Sequence, residues 1–378
     1  MVGAVLAEDA PGIVTAAETL DVIVIGAGQA GLAIAWHLRR QGLRFVVLDA
    51  ADRVGHTWRS RWDSLRLFTP ARYSALPGMA FPGDPDHYPT KDAVADYLRR
   101  YASEFDLPIR LNTTVTGLSH TGTAFEVSTT GQTLQARQVV VATGPFQTPF
   151  IPSVSTGIGA HVISLHSSGY RNPEQLAAGP VLVVGGGNSG MQIAEEVAAS
   201  RPVTLSTGQT PTALPQRLLG RDLFWWLARS GLMRLSGDSR LGRRVRARGE
   251  LLIGSNRRRV EAAGVSFRAR LTSIRGGTAH FSDGTSTEAA TVIWATGFRR
   301  DYSWINVPGA VVDGQVVHDR GVSPVDGLYF LGMPWQHTRG SALLGFVHAD
   351  AVYLASRLTV SGRPGVRYAA ARPVASSL

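Results

Sequence analysis

The segment Asp21-Val22-Ile23-Val24-Ile25-Gly26-Ala27-Gly28-Gln29-Ala30-Gly31 constrains this chain more than any other. A run of β-favouring residues enters a tight glycine turn and opens onto the helical pattern Leu32-Ala33-Ile34-Ala35-Trp36-His37-Leu38. Each glycine has its own mechanical task. Gly26 permits the turn, Gly28 lets backbone approach a pyrophosphate with no Cβ in the way, and Gly31 lets the helix pack on the strand. Unpaired N–H groups and the positive end of the helix dipole then face the phosphates. A second strand, Phe45-Val46-Val47-Leu48, ends in Asp49, the spacing at which a carboxylate takes both hydroxyls of an adenosine ribose.

The unit occurs twice. Pro180-Val181-Leu182-Val183-Val184-Gly185-Gly186-Gly187-Asn188-Ser189-Gly190 runs into the helical pattern Met191-Gln192-Ile193-Ala194-Glu195-Glu196-Val197. Its second strand, Val203-Thr204-Leu205-Ser206-Thr207, ends without an acid. A carboxylate there would repel a 2′-phosphate, whereas hydroxyls and the nearby Arg217 or Arg221 can receive one. The first site therefore reads as one for a dinucleotide lacking that phosphate, and the second as one for NADPH. Each copy continues through a β-meander, with hairpin signals at Gly131 and at Asp283-Gly284, to an Ala-Thr-Gly exit. The exits are Ala142-Thr143-Gly144 and Ala295-Thr296-Gly297.

This internal duplication predicts an α/β fold of two Rossmann-like (three-layer ββα) dinucleotide-binding domains in a glutathione-reductase-like arrangement. Residues 1–20 are expected to be a flexible extension. Residues 21–150 and 298–378 form a first domain split around a second, 151–297, with Pro145 to Pro152 and Phe298 to Asp301 as the crossovers.

Composition narrows the chemistry. At 378 residues, 44% hydrophobic and 17% charged, the chain fits a soluble two-domain enzyme. No apolar run approaches the ~20 residues needed to span a bilayer. Met1 to Thr19 has acids and no basic n-region, so a cytoplasmic location is expected. The net charge of +10 comes from arginine, Lys91 being the only lysine, so there is no Gly-Lys-Ser/Thr phosphate loop. The basic clusters Arg243 to Arg248 and Arg257 to Arg259 lack interleaved aromatics and read as solvated faces, not as a nucleic-acid surface. The absence of cysteine excludes a redox-active disulfide relay and a thiolate-held metal.

Between the motifs, Arg53 to Pro70 lacks a clean period and reads as a loop wrapped over something flat. Thr90 caps a helix from Lys91 to about Glu104, with Val94, Tyr97, Leu98 and Tyr101 on its core face. Leu223-Phe224-Trp225-Trp226-Leu227 with Met233 reads as a buried or subunit-facing helix, or else a tunnel wall. Leu328-Tyr329-Phe330-Leu331-Gly332 is a late buried strand, followed by a helix from about Ser341 to Ser356 whose N-terminus points at the first ligand.

Several of these segments occur together in one known family. The two glycine turns, Gly55-His56-Thr57-Trp58, Trp62-Asp63-Ser64-Leu65-Arg66-Leu67, Leu76-Pro77-Gly78, Phe81-Pro82 and Ala295-Thr296-Gly297-Phe298 resemble the class B flavin monooxygenases, especially short YUCCA-like and bacterial members. The resemblance implies FAD at the first turn, NADPH at the second, and a flavin C4a-(hydro)peroxide as oxidant of a small organic substrate. Dioxygen is the co-substrate, and the target is a heteroatom or a carbonyl or acyl carbon. The family's linking signature, Phe-x-Gly-x-x-x-His-x-x-x-Tyr/Phe, is half kept: His166 and Tyr170 are present, with Ala160 and Val162 for the Phe and Gly. Members also often carry an arginine just after the second ribose-binding strand, where this chain has Gly208-Gln209.

Carried onto this sequence, the resemblance assigns Gly26, Gly28, Gln29, Ala30 and Gly31 to the FAD pyrophosphate and Asp49 to its ribose. Arg53, Thr57, Trp58 and Leu67 line the flavin, and Thr114 and Val115 meet the adenine. Ala142, Thr143 and Gly144 close that site, with Gly332 and the Leu343 and Leu344 amides at the flavin pyrimidine. NADPH falls to Gly185, Gly187, Asn188, Ser189, Gly190, Thr207 and Arg217, with Ala295, Thr296 and Gly297 beside them. Arg66, Gln336 and His337 are the candidates around the oxidant, while His166 and Tyr170 tie the domains together. Two other readings stay open: a flavin-dependent reductase or NAD(P)H oxidase that inserts no oxygen, and a non-catalytic nucleotide-binding partner. A monomer or homodimer is expected.

Overall fold

A computed structural model of the chain describes residues 19–208, 212–247, 249 and 251–358. Most of the expected N-terminal extension, Gln209 and Arg248 lie outside the described residues, as does the tail from 359. Leu20 already belongs to the fold, since it pairs with Ala136.

The α/β architecture is carried by two Rossmann-like sets of parallel strands, the first of them part of a larger mixed sheet. In one the order is Ile109–Arg110, Phe45–Leu48, Leu20–Ile25, Thr133–Val141 and Leu328–Phe330. In the other it is Val265–Arg268, Val203–Ser206, Val181–Val184, Thr291–Trp294 and Ile163–His166. Strands covered on both faces need unbroken apolar runs, and the central stretches Val22–Ile25, Phe45–Leu48 and Val181–Val184 have them. Alternation along Leu20–Ile25 sends Val22 and Val24 to the core under helix Gln29–Gln41, and Ile23 and Ile25 to the opposite core with Phe125, Leu328 and Phe330. The Lys91–Glu104 helix forms as expected: Thr90 Oγ1 accepts from the Ala93 amide at 3.2 Å, and Val94, Tyr97, Leu98 and Tyr101 are buried.

Three expectations need adjustment. The strand after the Gly131 hairpin signal and the strand leading into the Ala142-Thr143-Gly144 exit are one element, Thr133–Val141, whose first half pairs antiparallel with Phe125–Thr129 and whose second half pairs parallel with Leu328–Phe330. The helix expected from Ser341 is broken. A 3-10 turn, Arg339–Ala342, is capped by Thr338, Leu343 is extended (φ −84°, ψ 144°), and α-helix runs only over His348–Ala355. Within this break Gly345 lies so close to Tyr73 that a Cβ would come within 2.1 Å of its carbonyl oxygen, so the position requires glycine. Third, only the start of the aromatic stretch is core. Leu223 and Phe224 open helix Leu223–Arg229 and are buried with Met233 and Ile253 against Phe68, Tyr73, Leu343 and Phe346. Trp225 and Trp226 stay half-buried, edge to face at 4.7 Å.

The Arg53 to Pro70 segment is irregular apart from a short helix, His56–Arg59, and it joins the two sheets. Trp62 leaves it to enter the core of the second sheet beside Tyr170, Val183 and Met191. Among the described residues no helix is long and apolar enough to cross a membrane.

Candidate nucleotide and flavin sites

The two glycine turns are the same structure built twice. Gly26 (φ +107°) and Gly185 (φ +116°) sit where a Cβ would strike the carbonyl of Ala142 (2.6 Å) or Ala295 (2.3 Å), so both positions demand glycine. Gly31 and Gly190 press on the turn itself, a Cβ falling 1.8 Å from the oxygen of Gly26 or Gly185. Gly28 and Gly187 precede the helices with nearly identical backbone, φ −74° and ψ −175° against φ −73° and ψ −178°. A Cβ at Gly28 would meet nothing within 4 Å. That clear space in front of helix amides is what a pyrophosphate requires, so the turn fits a bound dinucleotide.

Around the first turn, Asp49 holds the loop in shape. Its carboxylate accepts from the Ala27 amide at 2.6 Å and the Ala51 amide at 2.8 Å. A carboxylate has about four acceptor positions, so two remain for ribose hydroxyls. Gln29 bridges the cradle: its Nε2 donates to the Ala342 carbonyl at 2.7 Å, and its Oε1 accepts from Trp58 Nε1 at 3.3 Å. Gly332 (φ +85°) packs on Ala30, with room for no Cβ. Leu67 and Leu344 are buried in the core beneath. The Leu343 amide already donates to Gly340, at 2.7 Å.

Among the other expected residues, Ala142 and Thr143 abut the Gly26 turn, where a Cβ would lie 3.3 Å from the Thr143 nitrogen. The Arg53 guanidinium pairs with Asp52 at 2.5 Å on the surface, holding that carboxyl down at about 2. Thr57 is exposed, and the Thr114 carbonyl accepts from Thr130 at 3.0 Å. Thr143 Oγ1 and the Gly144 carbonyl both receive Gln147 Nε2, at 2.9 and 3.0 Å.

At the second turn, Asn188 braces rather than faces outward. Its Nδ2 donates to the Leu251 carbonyl at 3.2 Å, and its Oδ1 accepts from the Ile253 amide at 3.4 Å. Ser189 is half-buried beside it. Arg217 is exposed on a short hairpin opposite Asp222, whose carboxylate accepts from Tyr88 at 2.7 Å and Gln216 at 2.8 Å. Thr296 donates to the Phe150 carbonyl, and the Gly297 carbonyl lies 2.9 Å from His166 Nε2. The Ser168 amide donates to His166 Nδ1 at 3.1 Å, which makes Nε2 the protonated nitrogen. Tyr170 is buried, donating to Glu196 at 2.9 Å, and burial with that carboxylate pushes the phenol up. His166 thus fastens the second crossover to the second sheet, while Tyr170 ties its own segment to helix Asn188–Ala198.

The three candidates around the oxidant do not form one cluster. Arg66 is exposed and reaches the Tyr88 carbonyl at 3.4 Å. Gln336 is buried, its amide closing a turn onto Met333 and Arg320 at 3.4 Å each. His337 uses its backbone, donating to Ser341 Oγ at 3.1 Å and accepting from Gly237 at 2.7 Å. Sequence reasoning missed Arg61, whose guanidinium sits over Phe146 and Phe298 at 5.1 and 5.2 Å in the crossovers. The missed signal was an arginine amid aromatics in an aperiodic segment.

Paired turns of this geometry, one under a tryptophan-lined cradle, define an oxidoreductase that uses a flavin and a nicotinamide cofactor. A model of the pyridine nucleotide-disulphide oxidoreductase family matches residues 23–216. An uncharacterized CzcO-like oxidoreductase of Geobacillus kaustophilus is 46% identical, over 89% of this chain and 97% of its own. The indole-3-pyruvate monooxygenase YUCCA8 of Oryza sativa is 29% identical over 90% of each. A solved flavin-containing monooxygenase from Stenotrophomonas maltophilia has a TM-score of 0.75 and 30% identity, covering 90% of this chain and 98% of that one. The chain belongs to the pyridine nucleotide-disulphide oxidoreductase family, within its class B flavin monooxygenases.

Proposed function

We propose that this flavin-dependent monooxygenase takes FAD at the Gly26 turn and NADPH at the Gly185 turn, and inserts one atom of dioxygen into a small organic substrate. Residues 21–150 with 298–378 are the FAD-binding domain and 151–297 the NADPH-binding domain, in a glutathione-reductase-like arrangement. The return of Leu328–Phe330 to the first sheet supports that partition. The observation that carries the reading is the Gln29 bridge, which fixes an indole beside one of two matched dinucleotide turns.

Bound flavin supplies the electron-transfer and oxygen chemistry. The chain supplies position and dryness. Turn amides hold the pyrophosphates, Asp49 offers its free lone pairs to a ribose, and Gln29 orients Trp58 as a wall. Buried Leu67 and Leu344 keep water from that wall. With no cysteine in the chain, electrons have no thiol relay to follow on their way to oxygen.

The deciding experiment offers the FAD-loaded enzyme NADPH, 18O2 and a panel of sulfides, amines, ketones and α-keto acids. The name of the rice relative puts α-keto acids first. A product carrying one 18O atom, formed in step with NADPH consumption, is expected. Reducing equivalents recovered wholly as hydrogen peroxide across the panel would favour the oxidase reading.

A further inference from the structure

The two units can be matched residue for residue at the ends of their second strands. Ile25 pairs with Leu48, and the next residue is Asp49; Val184 pairs with Ser206, and the next residue is Thr207. The Asp49 amide donates to Arg110 at 3.0 Å, and the Thr207 amide donates to Arg268 at 3.1 Å. Thr207 therefore stands where the first unit has its ribose-binding acid. The adjoining residue is Gly208, and the space its side chain would fill is taken. A Cβ there would lie 2.9 Å from Nη2 and 3.0 Å from Nε of Arg270.

Arg270 reaches this point from beyond the neighbouring strand Val265–Arg268. It is exposed, and among the described residues no carboxylate forms an ion pair with it. Asp283, beside the Ser282 amide that donates to the Arg270 carbonyl, is engaged by Thr285 at 3.0 and 2.6 Å. Arg268 turns its guanidinium back to the Phe267 carbonyl at 3.1 Å, and Arg217 lies instead beside Asp222 and Tyr88. One cation is thus set at the ribose end of the second turn, a fork of donors suited to a phosphate.

We propose that Arg270 receives the 2′-phosphate of the nicotinamide dinucleotide, with the Thr207 hydroxyl beside it, and so sets the preference for NADPH over NADH. This rests on the second turn being the nicotinamide site. The first unit, with Asp49 at the same register, repels that phosphate, so the two sites sort their dinucleotides by charge.

Calorimetry on the FAD-loaded protein with adenosine 2′,5′-bisphosphate and 5′-AMP tests this without turnover. The wild type is expected to prefer the bisphosphate by about 10- to 100-fold, the range of a charge-assisted hydrogen-bonded contact. Arg270→Gln should erase that preference while binding 5′-AMP as before, and Arg217→Gln should keep it. No preference in the wild type, a preference surviving in Arg270→Gln, or its loss in Arg217→Gln would overturn the assignment. If neither adenylate binds, the nucleotide reading of the second turn fails with it. Absence of oxygenated product alone would leave Arg270's role standing.

Discussion

Gln147 Oε1 accepts the Asp301 amide at 2.8 Å, so one side chain holds both connections between the sheets. Gln147 Nε2 donates to Thr143 Oγ1 and the Gly144 carbonyl, where the first connection leaves its strand. Gln147→Ala removes all of these bonds, each worth about 0.5–1.5 kcal/mol net. A loss of about 1.5–4.5 kcal/mol in urea unfolding is expected, with faster protease cleavage between residues 145 and 152. Unchanged cleavage would mean that the β-pairing of Thr148–Pro149 with Phe298–Arg299 holds the connections alone.

Gly28 and Gly31 are close in sequence but should fail differently. Alanine at Gly28 enters open space, so the protein should fold with stability within about 0.5 kcal/mol of wild type and purify poor in flavin. Alanine at Gly31 strikes the Gly26 carbonyl and should cost more than about 3 kcal/mol. Gly187→Ala should weaken the nicotinamide dinucleotide and leave flavin bound. Flavin loss from that third variant would exchange the two site assignments.

Asp49 has a structural task as well as a binding one. Asp49→Ala leaves the Ala27 amide, on a residue only 2% exposed, without its acceptor. An orphaned amide of this kind costs about 1–3 kcal/mol. A lower melting temperature in flavin-free protein is therefore expected, together with weaker FAD binding. Weaker binding with an unchanged melting temperature would assign the carboxylate to the ligand alone.

Acid should act on a histidine pair between helices Gln29–Gln41 and His348–Ala355. Burial, with His348 stacked at 5.7 Å, lowers His37 from 6.5 to about 3. Among the described residues neither His37 Nε2 nor His348 Nδ1 has a hydrogen-bond partner. The unfolded chain takes up a proton that the folded one refuses, so stability falls as pH drops from about 6.5 toward 3. By pH 4.5 the loss from His37 is about 2–3 kcal/mol. His37→Leu should flatten the pH dependence of the urea midpoint between 7.5 and 4.5, and an unaltered slope would count against this origin.

The glycine turns, their strands and the Lys91–Glu104 helix were legible because each depends on neighbours in sequence: a steric demand for glycine, an apolar run, a threonine cap. The split of the last helix was not, since the segment around Gly345 packs on Tyr73, a residue far away in sequence. The second site shows the same limit. Thr207 could be matched to Asp49 by counting, but the cation beside it comes from another strand end, and Arg217, nearer in sequence, is held at Tyr88 and Asp222. Gln336 looked available as a polar residue in a late loop, and its use inside a turn is visible only in three dimensions.

Leu328–Phe330 completes the first sheet by pairing with Val139–Val141, after the whole of the second sheet's sequence has intervened. On the ribosome, the exposed flank of Thr133–Val141 must wait through that synthesis with its ladder groups unmet. Nascent chains stalled before residue 328 should therefore be the ones that chaperones hold, and the cradle at the first turn can close only after Ala342, the partner of Gln29, has also left the exit tunnel.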